Sequence, residues 1–419
     1  MIQLPFLLPT LLLLPFLPME GPSIPAELEE CTAGVASGRA TADGRPLLWK
    51  TRDAGAINNE VIWNTSGAYP FVSVISAGAE SSSWMGVNEK GFAIINTASS
   101  DLPAAPSGLS NGQFMAYALQ RCATVEEFED LLQETNQSGR RTNTNFGVID
   151  ATGAAAFFET AGHQYWRYDA ADTEKGYILR TNFAVNGDRS RGDPPGSMDR
   201  YLQTEQLMID FYRTDKIDFK EIVKVQVRSF GTPEGELIQL PFTGSIDGHP
   251  AGYFPHNSSI NRNTSVSFAV IQGVLEGEDP RLSTMWTILG QPSTGVLVPY
   301  WPVGETPPEA NGPETAPMAD ASNQIRKELY EEFEDPSADP ARIRPLYIDT
   351  SELKDEDGGG IWKMLMPLED SIITASEARL ESWRASGPDI EEMLQVEGTM
   401  AARALAGIKK AYEYLIRLN

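Results

Sequence analysis

A strand–turn–strand signature stands directly behind a segment that reads as removable, and it opens on a cysteine. The run Cys31-Thr32-Ala33-Gly34-Val35-Ala36-Ser37-Gly38-Arg39-Ala40-Thr41 meets the turn Ala42-Asp43-Gly44-Arg45, and a second apolar run extends from Pro46 to Asp53. An apolar leader and the acidic stretch Glu27-Leu28-Glu29-Glu30 lie upstream. A cysteine placed there can become the first residue of a mature chain. It would then carry a nucleophile and a base on one residue.

Residues 1–18 are apolar but interrupted by Pro5, Pro9, Pro15 and Pro18, which argues against a long membrane-spanning helix. The stretch reads as the hydrophobic part of a secretory signal. Gly21, Ser23 and Ala26 offer small residues for a signal peptidase and Glu30 does not, so exposing Cys31 needs a second cut. The expected organisation is a signal peptide over 1–23 and a short pro-segment over 24–30. The expected location is secreted or periplasmic, with no stable membrane insertion once the signal is gone.

The chain has 419 residues, 41% hydrophobic and 22% charged, with a formal net charge of −25. That charge argues against nucleic acid and anionic membranes as partners, since both attract basic patches. The expected partner is a small-molecule amide substrate; the oligomeric state is left open, with a homo-oligomer among the options. Two cysteines, Cys31 and Cys122, make no disulfide framework. They could pair with each other in an oxidising compartment, but Cys122 ends the helix-like run from Phe114 and reads as core.

Short strand-like runs bounded by turn residues fill the chain from Cys31 to about Tyr300. Phe71–Ser76 is one. Trp84–Val87, the turn Asn88-Glu89-Lys90-Gly91 and Phe92–Asn96 form a hairpin signature, as do Asn145–Asp150, Ala151-Thr152-Gly153 and Ala154–Glu159. Further strands are expected at Gln164–Tyr168, Tyr177–Asn182, Ser265–Ile271 and Met285–Leu289. Helices are expected at Gly112–Cys122, Val125–Glu134, Asp199–Thr214 and Phe219–Val227. Hairpins with grouped helices predict an α+β class rather than alternating βαβ units. Prolines 307, 308, 313 and 317 mark residues 304–320 as a linker, and 321–419 reads as a helical region packed on a core domain over 31–303.

Several chemistries are disfavoured. Only three histidines occur, and no HExxH or CxxC spacing appears, so neither a metal nor a cofactor is expected. Asp355-Glu356-Asp357-Gly358 lacks the later ligands of a calcium loop. The single GxSxG, Gly108-Leu109-Ser110-Asn111-Gly112, follows Pro103 and Pro106 rather than a strand, so Ser110 reads as a loop serine before a helix. The remaining nucleophile is a cysteine whose base need not be a histidine. A free α-amine titrates at roughly 7.7–8.0 and a thiol at roughly 8.5, a close match for proton exchange.

Together, Cys31-Thr32, Asp43-Gly44, Lys50-Thr51-Arg52-Asp53, Gly86-Val87-Asn88-Glu89-Lys90-Gly91 and Arg180-Thr181-Asn182-Phe183 resemble the N-terminal-nucleophile hydrolases. The similarity is to the acyl-CoA:6-aminopenicillanate acyltransferase-like (peptidase C45) and choloylglycine hydrolase group, over roughly residues 31–300. It implies a four-layer αββα sandwich with the nucleophile at a strand start between two antiparallel sheets. It also implies an autocatalytically matured cysteine amidase acting through an acyl-thioester, with acyl transfer as a second outcome.

By the same resemblance, Cys31 is the nucleophile, Asp53 holds the α-amine, Asn182 donates to an oxyanion and Asn96 is a second donor. Arg200 supports the site electrostatically. Where the group carries an arginine this chain has Lys50, with Arg52 on the same strand face, and either can supply the positive charge near the thiol. Trp49, Trp63, Trp84 and Trp166 are candidates to line an acyl pocket or to fill the core. A secreted cysteine dipeptidase of the same fold is the nearest rival. A non-catalytic binding protein with Cys31 internal is the other.

Overall fold

A computed structural model describes residues 29–191, 196–214, 216–246, 248–255, 258–332 and 346–418. The signal peptide and all but the last two residues of the pro-segment lie outside the described residues, as does His256.

The chain starts as the hairpin β1 (Glu30–Ala36) and β2 (Leu47–Asp53), then crosses to a second sheet. There it lays down β3 (Asn59–Asn64), β4 (Phe71–Ser76), β5 (Met85–Asn88) and β6 (Ala93–Ala98). Helices α1 (Asn111–Leu119) and α2 (Val125–Ser138) intervene before β7 (Thr144–Ile149), β8 (Ala155–Thr160) and β9 (Tyr165–Asp169) complete a seven-stranded meander in sequence order. β10 (Tyr177–Arg180) returns to flank β1, followed by α3 (Ser197–Thr214), α4 (Phe219–Lys224) and the short β11 (Tyr253–Pro255). Then β12 (Ser265–Gln272), β13 (Thr284–Leu289) and β14 (Val298–Tyr300) extend the first sheet to the order β10-β1-β2-β12-β13-β14. The C-terminal part is α5 (Pro317–Leu329), β15 (Tyr330–Glu332), β16 (Leu346–Asp349), α6 (Thr350–Leu353), α7 (Trp362–Ser386) and α8 (Ile390–Leu418).

The two antiparallel sheets face each other through β1, β2, β5, β6 and β7. α1 and α2 cover the meander with a phenylalanine cluster in which Phe128 meets Phe92, Phe114, Phe146 and Phe158. α3 and α4 cover the other sheet. The architecture is the αββα sandwich that the sequence motifs imply. Being sandwiched explains why Leu47–Asp53 is buried at every position instead of alternating. Gly34 sits opposite Trp49, and a Cβ there would fall 2.1 Å from the indole, so glycine is what lets that ring lie across β1. In the turn between β5 and β6, Gly91 takes φ +78°, a conformation glycine adopts without steric cost.

The stretch 304–320 is not a free spacer, as its prolines suggest. Thr306 Oγ1 donates to Val61 O (2.7 Å), the Val61 N–H donates to Ala310 O (2.9 Å), and Ala310 is buried. The prolines fit because this segment follows the edge strand β3 without forming a ladder of its own. Within the region read as helical, α5 ends at Leu329 and a strand takes over, since Tyr330–Glu332 pairs with β16. α7 is tied to the sandwich by a fully buried ion pair. Arg228 Nη1 and Nη2 donate to Glu369 Oε1 and Oε2 at 2.8 Å each, and Glu369 Oε2 also accepts from the Leu297 N–H.

Removing one partner of a dry pair strands the other charge. Glu369→Leu is expected to destabilise the protein by about 3–5 kcal/mol, measured by urea unfolding, whereas Arg228→Met/Glu369→Leu should recover much of that loss.

Candidate functional site

Antiparallel register decides what surrounds Cys31. Cys31 is opposite Arg52 and Ala33 is opposite Lys50, so these side chains share the face turned to the meander. Glu30 is opposite Asp53 and Thr32 opposite Thr51, which places Glu30, Thr32 and Asp53 on the face toward α3. One strand pair thus splits its polar residues between two compartments.

On the inter-sheet face, the Cys31 thiol is fully buried, and both cysteines are free. Lys50 shares this face and interacts electrostatically with the thiol, and its Nζ donates to Asn96 Oδ1 (2.7 Å) and Trp84 O (3.4 Å). Burial pushes the thiol above its ordinary value, Lys50 pulls it back, and Glu29 and Asp53 push it up again. Burial likewise drives the Lys50 ammonium down, opposed by Cys31 and Glu29. Burial thus opposes charge on both groups, while each favours the charged form of the other.

Arg52 does not reach the sulfur. Its guanidinium stacks 4.5 Å from the Trp84 ring and donates to Asn59 Oδ1 (2.7 Å), Ser76 Oγ (3.2 Å) and Glu29 Oε1 (2.7 Å). The positive charge nearest the thiol is therefore Lys50. Trp84 is the tryptophan that lines the cleft here, while Trp49 is core, Trp63 packs on the core edge and Trp166 on a small separate cluster.

Asn182 is the hub on the other side. Its Oδ1 accepts from the Cys31 backbone N–H (2.7 Å) and from Arg200 Nη2 (2.7 Å), while its Nδ2 donates to Glu29 O and Ala98 O, each at 2.9 Å. Arg200, wholly buried on α3, also donates through Nε to Thr32 Oγ1 (3.2 Å) and through Nη1 to Glu30 Oε2 (3.3 Å). Burial and the neighbouring Arg262 charge bring the Arg200 guanidinium down to about 10.

Asp53 departs from its expected contact. Its carboxylate accepts from Arg262 Nη2 and Ser265 Oγ, both at 2.5 Å, and the Cys31 nitrogen goes to Asn182 instead. The reason is covalent: bonded to Glu30, that nitrogen is an uncharged amide with a single hydrogen, which Asn182 takes. Asn96 also departs. Its Oδ1 accepts from Lys50 and its Nδ2 donates to Thr144 Oγ1 (3.1 Å), so it orients the lysine rather than offering a donor to an oxyanion.

Arg262 was not legible as a site residue. It bonds both Asp53 and Glu30 Oε2, and these two carboxylates hold it charged against the burial that opposes it. It stands just ahead of β12, whose first residue, Ser265, is opposite Asp53. The strand itself was visible in the sequence, but its pairing with β2 was not. Ser110, of the GxSxG stretch, stands at the N-cap of α1 with its N–H donating to Gln113 Oε1 (3.1 Å). Among the described residues, no group of three or more His, Cys, Asp or Glu side chains is placed to hold a metal ion.

If Lys50 is the cation that governs the thiol, the pH profile of Cys31 alkylation in a Cys122→Ser background should move upward in Lys50→Met. It should stay where it is in Arg52→Met.

Comparison with known proteins adds a family. Residues 46–228 match the family described as acyl-coenzyme A:6-aminopenicillanic acid acyl-transferase. No curated protein matches the sequence. Similar solved structures include a mutant of conjugated bile acid hydrolase from Clostridium perfringens (12% identity, 61% of this chain and 89% of that one, TM-score 0.38). Another is penicillin V acylase from Agrobacterium tumefaciens (15%, 65% and 85%, 0.38). A third is the Caenorhabditis elegans ortholog of N-acylethanolamine-hydrolyzing acid amidase (13%, 57% and 92%, 0.38). Residues 46–228, which carry β2, the meander and the Asn182–Arg200 hub, are thus the part of the chain that is similar to the acyl-coenzyme A:6-aminopenicillanic acid acyl-transferase family.

Proposed function

We propose that this protein is a self-maturing cysteine amidase, secreted or periplasmic, that severs its own Glu30–Cys31 bond and then hydrolyses small linear amides at Cys31. The observation that carries this reading is the placement of Cys31. A free thiol is sealed between the sheets beside Lys50, while the nitrogen of its own scissile bond is gripped by Asn182.

Maturation follows from those contacts. Lys50 takes the thiol proton, and Sγ adds to the Glu30 carbonyl carbon. The C–N bond then breaks, with a proton delivered to the departing Cys31 nitrogen. The pro-segment is left as a thioester on Sγ, and water releases it as a carboxylic acid and restores the thiol. The new α-amine remains beside Asn182 Oδ1 and one residue's register from Asp53. It is a base matched to the thiol on the same residue. Loss of Glu29 also frees one Asn182 N–H, since Glu29 O is its present acceptor. That donor becomes available to a tetrahedral oxyanion.

A substrate amide then repeats the sequence: thiolate addition, expulsion of the amine with a proton from the α-ammonium, and hydrolysis of the thioester. Water is the default acceptor and an amine the alternative, which would give acyl transfer.

Intact mass of the purified protein is expected to show a start at Cys31, and Cys31→Ala is expected to retain the upstream residues and to lack amidase activity. A Cys31→Ala protein that still matures and turns over would sink the reading. Because burial holds the thiol protonated, self-cleavage should slow as the pH is lowered from about 8 to about 6, followed by mass spectrometry over time.

A further inference from the structure

The two residues ahead of the scissile bond are both glutamates, and each is held by arginine. Glu30 turns toward α3, to Arg200 and Arg262. Glu29 turns the other way, to the face that carries the Cys31 thiol, and its carboxylate meets Arg52 at 2.7 Å. Arg52 is buried at the wall of a cleft of about 660 Å³, also lined by Glu29, Trp84, Ser110, Asn111 and Arg141.

Once the pro-segment leaves, the two arginines of the α3 side keep partners, Asp53 for Arg262 and Asn182 for Arg200. Arg52 does not keep a counter-charge. Glu29 is its only carboxylate partner among the described residues, and Asn59, Ser76 and the Trp84 face are all neutral. A buried guanidinium stripped of its anion is strongly unfavourable unless another anion arrives. Arg141, exposed at the same cleft, adds a second positive charge. The cleft is cationic on a chain whose net charge is −25, so its polarity is a local property of the site.

Resting on the amidase reading above, we propose that the mature cleft selects amides whose acyl half ends in a carboxylate, bound by Arg52 where Glu29 now sits. The pro-segment is then the enzyme's first substrate in shape as well as in bond type. The class is that of dicarboxylic monoamides and acidic N-acyl peptides, not plain fatty or aromatic acyl amides. In the reaction the Sγ–acyl bond forms as the amide C–N bond breaks. The amine leaves with a proton, and water converts the thioester to the free diacid.

Suberoyl mono-p-nitroanilide tests this directly, because its far carboxylate lies as many bonds from the acyl carbon as that of Glu29. Its methyl ester is the neutral control. The wild-type protein is expected to prefer the acid over the ester in kcat/KM by roughly tenfold or more, the scale of a charge-assisted hydrogen bond. Arg52→Met should abolish the preference and Arg52→Lys should keep part of it. Both variants lose the guanidinium's fork to Asn59 and Ser76, so their difference reports the charge.

Equal or better turnover of the ester by wild type overturns the proposal while leaving the amidase intact. Should neither anilide turn over, binding of acetyl-Leu-Glu-Glu against acetyl-Leu-Gln-Glu to the matured protein decides, and equal affinities overturn the proposal. A purified protein that keeps residues ahead of Cys31 removes the amidase reading and this inference together.

Discussion

Charge balance in a dry space governs this molecule. Glu29, Glu30, Lys50, Arg52, Asp53, Arg200 and Arg262 crowd around the first residues of β1, where water is largely excluded and an unmatched ion is costly. The sandwich tolerates them because antiparallel register divides them. Arg52 with Glu29 and Lys50 with the thiol lie on one face; Arg262, Asp53, Glu30 and Arg200 lie on the other. Asn182 touches both compartments, taking the Cys31 N–H and Arg200 on Oδ1 and holding Glu29 on Nδ2.

The lysine gives the thiol a neighbour that an arginine would not. Arginine holds its proton under nearly all conditions and acts as a fixed charge. A buried lysine can give its proton up, and Lys50 is driven in that direction by its surroundings. Asn96 fixes where its nitrogen points. Under the maturation proposed above, Lys50 is the proton acceptor that acts before the α-amine exists.

Much of this was readable from the chain alone, and the reasons for the gaps are physical. Hairpins announce themselves through local turn chemistry, which is why the β5–β6 and β7–β8 hairpins and the Cys31–Asp53 hairpin are legible in sequence. So are residues riding on those strands, Cys31, Lys50 and Asp53. Pairing between strands far apart in sequence leaves no local trace, so Arg262 and Ser265, brought to Asp53 across more than two hundred residues, were invisible. Asn96 was located but its role was not, because an amide reads the same in sequence whether it donates or accepts. Helix ends were missed where a strand took over, as at Tyr330.

The bond between Arg228 and Glu369 joins distant parts of the chain. Arg228 ends the segment that covers the nucleophile's sheet, and its carboxylate arrives only with α7, well over a hundred residues later. Without that helix the buried guanidinium would have no carboxylate to balance it. The helix thus supplies a charge that the first sheet needs, which makes α7 a part of the sandwich and not an appendage to it.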